Sequence, residues 1–237
     1  MLLTFVGILG LMTSAHAATF IVTNTDAAGP GTLHQAVADA NANPGPDEIH
    51  FKISGAGPHT IQAPNWSTNM PNFFLEITDQ VIIDGLTQPG ATCSPRHLLI
   101  EIKGNWDMNT NPYGVWQDAV VLTNGASGSI VRGLTINLFG NAIGFDKADD
   151  VVLECNHLGT DITGTQALPN SVGVSLDTLY SFFNYEKGVK IISNVISGNE
   201  TYGIRLTTGD DNAFIQGNMI GVDVSGSFAI PDGTGIY

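Results

Sequence analysis

The chain has 237 residues, of which 28 are glycine and 43% are hydrophobic, and its formal net charge is −14. This length allows one sizeable domain or one elongated stack of repeats, and the abundant glycine favours many short strands joined by tight turns over a helical protein. Because only 8 residues are lysine or arginine, the sequence lacks the basic surface that nucleic-acid binding needs, and that class of function is excluded.

The first 17 residues, MLLTFVGILGLMTSAHA, form an apolar run that ends in Ala15-His16-Ala17. A short apolar segment followed by an A-x-A site is typical of a cleaved secretory signal peptide. A membrane anchor is the less favoured alternative, because the run is shorter than about 18 apolar residues. We therefore predict a signal peptide over 1–17, a mature chain without a membrane span, and a secreted location that is extracellular, periplasmic or at the outer surface.

Residues 18–80 are expected to hold an N-terminal cap and the first strands. Within them, the segment GTLHQAVADANANPG has apolar residues at helical spacing, namely Leu33, Ala36, Val37 and Ala40. Thr32 and Gln35 form a capping-box pattern, and Pro44-Gly45 ends the segment. The small apolar face predicts an amphipathic helix that covers one end of a repeat stack.

Residues 81–237 contain repeats that align on an asparagine followed, two positions later, by an apolar residue. The aligned segments are VVLECNHL (151–158), VKIISNVI (189–196), AFIQGNMI (213–220) and, with leucine in the asparagine position, SIVRGLTI (129–136). Apolar residues stand three positions before and two positions after the asparagine, so the strand alternation slips by one residue there. The slip predicts a sharp bend between two short strands, and we assign the left-handed backbone of this bend to the asparagine.

A further apolar unit follows each of these elements. The units are AIGF (142–145), VGVSL (172–176), YGIRL (202–206) and TGIY (234–237). Because hairpin turns are missing between them, each strand is expected to pair in parallel with its equivalent one repeat later. The sequence therefore predicts an all-β fold, a right-handed parallel β-helix with an N-terminal helix cap.

Two features of the predicted stack follow from this arrangement. Stacking would place Asn156, Asn194 and Asn218 in a structural ladder, in which each buried amide bonds the next winding. The sequence stops inside a strand unit, so we expect either further β-helix windings or an end-to-end contact at the C-terminal edge.

The chain has two cysteines, Cys93 and Cys155. They could pair in an oxidising compartment, but one candidate pair is not a disulfide framework. Cys155 lies within a strand-like run, where a buried thiol is the alternative. We favour the unpaired state.

Several segments resemble known secreted bacterial β-helix proteins. FIVTNTDAAGPGTLHQAVADANANPGPDEIHF (20–51) resembles their N-terminal segment, whose Cys-Ser-Leu-Arg-Glu-Ala motif here reads GTLHQA (31–36). The segments VIIDGLTQPG (81–90), IVRGLTI (130–136) and GNMIGVDVSG (217–226) look like the repeats of that family. The resemblance covers most of 19–237 and implies a pectin-lyase-like right-handed β-helix. It implies no single activity, because this scaffold serves lyases, hydrolases, epimerases, adhesins and surface proteins.

Arginines and paired aspartates are the candidates for chemistry. Glycoside hydrolysis needs two positioned carboxylates, and pectate-lyase chemistry needs a basic residue, often arginine, and calcium-binding carboxylates. The catalytic candidates are Arg132, Arg205, Asp210 and Asp211, and the candidate Ca²⁺ ligands are Asp149, Asp150, Asp210 and Asp211. The two aspartate pairs recur at equivalent turns, which favours their interpretation as polar turn residues.

One outer face and the tryptophans are the candidates for ligand binding. The position two residues before the asparagine is predicted to stack as a column of mixed charge made of Asp84, Lys103, Arg132, Glu154, Ile192 and Gln216. The column is either a solvated face with weak ion pairs or a sugar-binding groove. Tryptophans in irregular segments either stack on sugar rings or pack over the core edge. The glycan-binding candidates are therefore Trp66, Trp106, Trp116, Lys103 and Glu154.

The sequence favours an exported or cell-surface β-helix module that presents an elongated face for glycan or surface binding, without catalysis. The alternative is a pectin-lyase-like polysaccharide lyase or glycoside hydrolase that acts on an acidic polysaccharide, and a third hypothesis is a truncated solenoid with no activity of its own. We expect a polysaccharide or cell-surface glycan as partner, and no cofactor unless Ca²⁺ is bound.

Overall fold

The computed structural model describes residues 16–64, 73–105, 117–176, 187–206 and 212–237. Over these ranges the chain is mostly β-structure in parallel sheets, and it contains one α-helix, α1 (Leu33–Ala42). Most of the predicted signal peptide lies outside the described residues. Within the described ranges, no helix is both long enough and apolar enough to cross a membrane.

Helix α1 begins where the sequence predicts it. Thr32 is the N-cap residue, and its Oγ1 accepts a hydrogen bond from the backbone N–H of Gln35 at 3.2 Å. The reciprocal half of the predicted capping box does not form, because the Gln35 side chain donates to Asp39 Oδ1 at 2.8 Å instead. The predicted apolar residues are all buried, and the helix packs over the first strands of the stack.

The described strands are short and follow one another along the chain. They are β1 (Thr19–Val22), β2 (Asp47–Phe51), β3 (His59–Gln62), β4 (Phe73–Ile77), β5 (Val81–Asp84), β6 (Ile100–Lys103), β7 (Asp118–Thr123), β8 (Ile130–Arg132), β9 (Leu134–Asn137), β10 (Asn141–Asp146), β11 (Val152–Glu154), β12 (His157–Leu158), β13 (Val172–Ser175), β14 (Lys190–Ile192), β15 (Val195–Ile196), β16 (Tyr202–Arg205), β17 (Phe214–Gln216), β18 (Met219–Ile220) and β19 (Thr234–Ile236).

The strands form three parallel sheets. Sheet A has the order β1-β2-β5-β8-β11-β14-β17, sheet B the order β3-β6-β9-β12-β15-β18, and sheet C the order β4-β7-β10-β13-β16-β19. From β2 onward the chain therefore visits A, B and C in turn, and each winding lies beside the previous one. The register is the one that the repeats predict, since Leu153 pairs with Ile191 and Ile191 pairs with Ile215. Apolar side chains from all three sheets fill the space between them.

The corner between sheets A and B holds a row of amides. Asn156, Asn194 and Asn218 lie on successive windings, and the backbone N–H groups of Asn156 and Asn194 donate to the side-chain oxygen of the next asparagine at 2.9 and 2.8 Å. Each side-chain nitrogen donates back to a carbonyl of the preceding winding, as Asn194 does to Leu153 at 2.9 Å. Because Asn156 and Asn194 are fully buried, these bonds replace the water that the amides lose.

The left-handed residue of this corner is not the asparagine, and our assignment of the bend was wrong. The positive φ angles belong to the residue before it, with values of 71° at Gly133, 57° at Cys155, 53° at Ser193 and 65° at Gly217. The asparagines of this corner are not among the residues with a positive φ angle. Their side chains turn inward along the stack and bond their neighbours. The preceding residue makes the turn, and glycine suits it because glycine has no Cβ to strain.

The corner between sheets B and C holds a second row that the sequence analysis missed. The Asn170 side chain donates to Asn199 Oδ1 at 3.2 Å, and the Asn199 side chain donates to Asp232 Oδ1 at 2.8 Å. Burial raises the pKa of Asp232 to about 6, although hydrogen bonds from Asn199 oppose the shift. Asn170 and Asp232 end the two long connections, whereas Asn199 lies in the short connection between β15 and β16. The matching Pro-Asn and Pro-Asp pairs of the long connections were the signal for this row.

Cys93 and Cys155 form a disulfide, so the prediction of an unpaired state was wrong. Cys93 belongs to the long loop 85–99 between β5 and β6, which folds back across the corner of sheets A and B. This fold-back brings the two Cα atoms to 5.9 Å, although 62 residues separate them in sequence. The sequence contains no local signal for such an approach, because it depends on where the stack places position 155.

The two ends of the stack differ. Helix α1 covers the first strands, whereas β17, β18 and β19 are the outermost strands of their sheets. Within the described residues, most of the exposed large apolar side chains belong to the last winding, and they are Phe214, Phe228, Ile236 and Tyr237.

Candidate functional site

Arg132 lies on the outer face of sheet A in a column of paired charges. Its guanidinium donates to Asp84 Oδ2 at 2.7 Å and to Glu154 Oε1 at 3.2 Å. The hydrogen bond to Asp84 raises the pKa of Arg132, and the charge of Asp84 and the bond to Glu154 add to this effect. Arg132 would have to be deprotonated before it could accept a proton as a catalytic base, and the two carboxylates oppose that deprotonation. Asp84 and Glu154 therefore hold Arg132 as a structural cation.

The column itself differs from the predicted one at Lys103. Along sheet A the register runs from Asp84 through Arg132, Glu154 and Ile192 to Gln216, as predicted. Lys103 instead belongs to sheet B, where it pairs with Gln62 and Asn137. Lys103 was misplaced because IEIKGN (100–105) resembles the first half of the repeat, which forms a strand of sheet A. Its strand, β6, instead lies in sheet B.

Arg205 lies on sheet C and is not brought together with Arg132. It pairs in register with Ser175, and its guanidinium carbon lies 5.8 Å from the centre of the Tyr202 ring. This contact is a cation–π interaction at the C-terminal end of the sheet. The two predicted catalytic arginines therefore do not form one site.

The acidic and aromatic candidates are only partly described. Asp149 Oδ1 accepts the backbone N–H of Lys187 at 2.8 Å, and Asp150 occupies a left-handed turn position with a φ of 56°. Asp210 and Asp211 lie outside the described residues, as do Trp66, Trp106 and Trp116. In the described part of the chain, no group of three or more His, Cys, Asp or Glu side chains is arranged to hold a metal ion.

The outer face of sheet B carries a polar row that the sequence analysis missed. In register across neighbouring strands, the row contains Thr60, Glu101, Thr135 and His157, and it ends at the apolar Val195. Outward-facing residues of a sheet are usually exposed, yet Thr135 is 0% and His157 is 1% exposed. Loops therefore cover this face, and they shield polar groups that lie outside the apolar core.

Part of this row is hydrogen-bonded and part is not. Glu101 accepts bonds from Thr60 Oγ1 at 2.6 Å and from Asn137 Nδ2 at 2.9 Å. By contrast, Thr135 Oγ1 and the neighbouring Asn137 Oδ1 are buried without a hydrogen-bond partner among the described residues. The ring nitrogens of His157 face the backbone of Asp161 and Ile162 but meet no described partner at ordinary hydrogen-bond geometry. Buried polar atoms without partners are costly, so each one calls for an explanation such as a bound water, an ion or a functional role. This row is therefore the strongest candidate for a site beyond the structural corners.

Three loops build a groove beside this row. Loop 85–99 is tied to loop 52–58 by Gln88, which exchanges two hydrogen bonds of 2.9 Å with the backbone of Ile53. The third loop, 159–171, is closed by Asp161, whose Oδ1 accepts the backbone N–H groups of Thr165 and Gln166. The groove between them has a volume of about 550 Å³. Its lining includes Pro58, Pro89, Arg96, His97, Ile162 and Thr163.

His157 connects the groove to the buried row. A Cβ placed on Gly164 would come within 2.8 Å of His157 Cε1, so the imidazole lies directly beneath the loop whose Ile162 and Thr163 line the groove. Burial lowers the pKa of His157 to about 4, and the nearby charge of Arg96 contributes to the shift, while Asp161 opposes it. The imidazole is therefore held neutral at ordinary pH.

This geometry predicts how stability depends on pH. Because the folded-state pKa of His157 is depressed to about 4, its contribution is present above the unfolded-state value of about 6.5 and is lost as pH falls towards 4. We expect the stability difference between the wild type and His157→Gln to shrink by up to about 3 kcal/mol over that window. Chemical denaturation at several pH values measures the difference, and NMR titration of the ring gives the pKa directly.

His34→Gln is the control, because His34 is exposed on helix α1. This variant removes an imidazole that is not buried, and its stability is measured over the same window for comparison. A His157 ring that titrates between pH 6 and 7 would contradict the sealed, neutral imidazole.

Comparisons with known proteins do not indicate a class of function for this chain. Neither protein-family models nor curated proteins match this chain.

Proposed function

We propose that the chain is an exported, pectin-lyase-like right-handed parallel β-helix that binds a glycan in the groove beside sheet B, without catalysis. Right-handedness is supported by the rule that crossovers between parallel strands are right-handed in nearly all proteins. Export is supported by the apolar N-terminal segment and by the Cys93–Cys155 disulfide, since such bonds persist in oxidising compartments.

The groove is the observation that carries the binding proposal. Its volume of about 550 Å³ lies in the range of small-ligand sites, and it is lined by apolar surface with a few polar groups. The apolar surface comes from Pro58, Pro89 and Leu99, and the polar groups include Arg96 and Thr163. A sugar ring presents one apolar face and an edge of hydroxyl groups. It therefore matches a groove that combines apolar surface with a few polar groups.

The absence of catalysis is supported by the state of the candidate residues. Arg132 is neutralised by two carboxylates, and Asp149 bonds the backbone of Lys187. The alternative is a polysaccharide lyase or hydrolase acting on an acidic polysaccharide. Incubation with uronate polymers and Ca²⁺ distinguishes the two hypotheses, because an enzyme releases unsaturated products or new reducing ends. A glycan-array signal without product supports the binding module.

A substitution that fills the groove tests the proposal. Ala56 is exposed and lines the groove, so Ala56→Trp should obstruct it without disturbing the core. We expect the affinity for any oligosaccharide found on the array to fall by about tenfold or more, because the ligand and the indole compete for the same space. Isothermal titration calorimetry with that oligosaccharide measures the change.

Ala27→Trp is the matched control, because Ala27 is equally exposed but lies in the loop before helix α1. It should bind like the wild type, and both variants should melt within a few degrees of it. Unchanged affinity in Ala56→Trp would remove the groove as the binding surface.

A further inference from the structure

The two arginines Arg96 and Arg132 have opposite electrostatic surroundings. Arg132 is held between two carboxylates, which raise its pKa. Arg96 is half-buried and takes part in none of the ion pairs among the described residues, and burial lowers its pKa. In a chain with a net charge of −14, a desolvated guanidinium without a carboxylate partner is unusual.

Neutral carbonyl groups hold the Arg96 guanidinium in place. Its Nη1 donates to the carbonyl oxygen of Asn156 at 3.4 Å, and its Nη2 donates to that of Ser193. Both carbonyls belong to the corner of sheets A and B, and the disulfide anchors the same loop to that corner three residues away. The guanidinium is therefore fixed in position, but its charge is not neutralised by these contacts. Arginine has five N–H donors, so further donors are left for a ligand.

The acidic group next to the groove wall, Asp161, is already committed to its own loop. Asp161 accepts bonds from Thr163 Oγ1 at 2.6 Å and from the backbone N–H groups of Thr165 and Gln166 at 2.9 and 3.0 Å. Although burial raises it, these bonds lower the pKa of Asp161 overall. On the wall of the groove that loop 159–171 forms, Ile162 is apolar and Thr163 is neutral. Among the described residues that line the groove, none carries a carboxylate that would balance the charge of Arg96.

We propose that Arg96 forms an anion-binding subsite at the edge of the groove, which takes an oxygen-bearing anionic group such as a carboxylate, sulfate or phosphate on a small ligand. His97 borders the same groove and belongs to the same subsite. The planar guanidinium offers paired N–H donors, which match two oxygens of such a group. The inference rests on the groove being the binding surface proposed above, but it does not require that the ligand be a glycan.

Small anions test the subsite without a known ligand. Sodium acetate, sodium sulfate and sodium phosphate are titrated separately into the full chain, with sodium chloride at equal ionic strength as reference. We expect at least one of the three anions to shift the NMR signal of the Arg96 Nε–H group and the amide signal of His97 in a saturable manner. The anion that binds most tightly identifies the favoured group.

Variants then assign the binding to Arg96. Arg96→Gln should weaken anion binding by about tenfold or more, since it removes a charge-assisted hydrogen bond. The anion affinity of Arg96→Lys should lie between those of the wild type and Arg96→Gln. Lys190→Gln removes an exposed cation on sheet A and should change affinity by less than about twofold. If Arg96→Gln does not fold, the wild-type NMR shifts and the lysine variant still decide the question.

The outcomes separate this inference from the proposed function. Saturable shifts at Arg96 and His97 support the subsite even if no glycan binds. Shifts that are absent, linear in concentration, or located away from the groove overturn it, and so does an Arg96→Gln variant with unchanged affinity. Glycan binding that Ala56→Trp abolishes, without any anion effect at Arg96, would leave the proposed function standing and reject the subsite alone.

Discussion

Asn194→Ala is expected to lower the free energy of unfolding by about 3–5 kcal/mol, because the alanine leaves several buried groups without partners. In the wild type, Asn194 Oδ1 accepts the backbone N–H of Asn156 at 2.9 Å, and its side-chain nitrogen donates to Leu153 at 2.9 Å and to Ile192 at 3.1 Å. The residue is fully buried, so water does not replace these bonds. Denaturant unfolding followed by circular dichroism measures the loss.

Asn124→Ala provides the comparison for this variant. Asn124 is exposed in the turn after β7, so its replacement should change stability by no more than about 0.5 kcal/mol. If both alanine variants unfold at the same denaturant concentration as the wild type, the amide row contributes little, and packing of the apolar interior holds the windings together.

Removal of the disulfide is expected to have an effect of similar size. Cys93→Ala/Cys155→Ala releases a chain segment closed over 62 residues, and the loss of chain-entropy stabilisation corresponds to about 4 kcal/mol. For a chain of this length, the melting temperature should fall by roughly 10 °C. The same change frees loop 85–99, so the Arg96 signal should also shift. Differential scanning calorimetry and NMR measure the two effects.

A reducing agent gives an independent measure of the same bond. It should lower the melting temperature of the wild type towards that of the double variant, and it should leave the double variant unchanged. A wild type that melts at the same temperature with and without reductant would show that the loop is held by its hydrogen bonds, such as those of Gln88, and does not need the covalent link.

The order and pairing of the strands could be predicted from the sequence because they depend on a local pattern that repeats. The alternation around Asn156, Asn194 and Asn218 indicates which side chains face inward. Recurrence of the same pattern places equivalent strands side by side, although 38 residues separate the first two asparagines and 24 separate the last two. Even here one local detail was assigned to the wrong residue. Asparagine and the residue before it both tolerate left-handed backbone, and only the inward hydrogen bonds of the amide decide between them.

The groove could not be predicted in the same way because its walls come from loops that lie far apart in sequence. Nothing in the sequence near Arg96 indicates that it meets the carbonyls of Asn156 and Ser193, nor that Cys93 meets Cys155. The buried row was hidden for a related reason. His157 occupies an outward strand position, which normally predicts exposure, and only the loop around Gly164 makes it a buried imidazole.

The amide row of the first corner has a direction, and this direction matters for how the protein is made. The side chain of each asparagine reaches back, since Asn194 donates to Leu153 and Asn218 donates to Ile191, both on the winding already laid down. Ribosomal synthesis delivers the helix-capped end first. Each new winding therefore packs on a winding that is already folded, and its asparagine supplies the hydrogen bonds to it. The stack can thus assemble from the N-terminal end while the rest of the polypeptide is still being made.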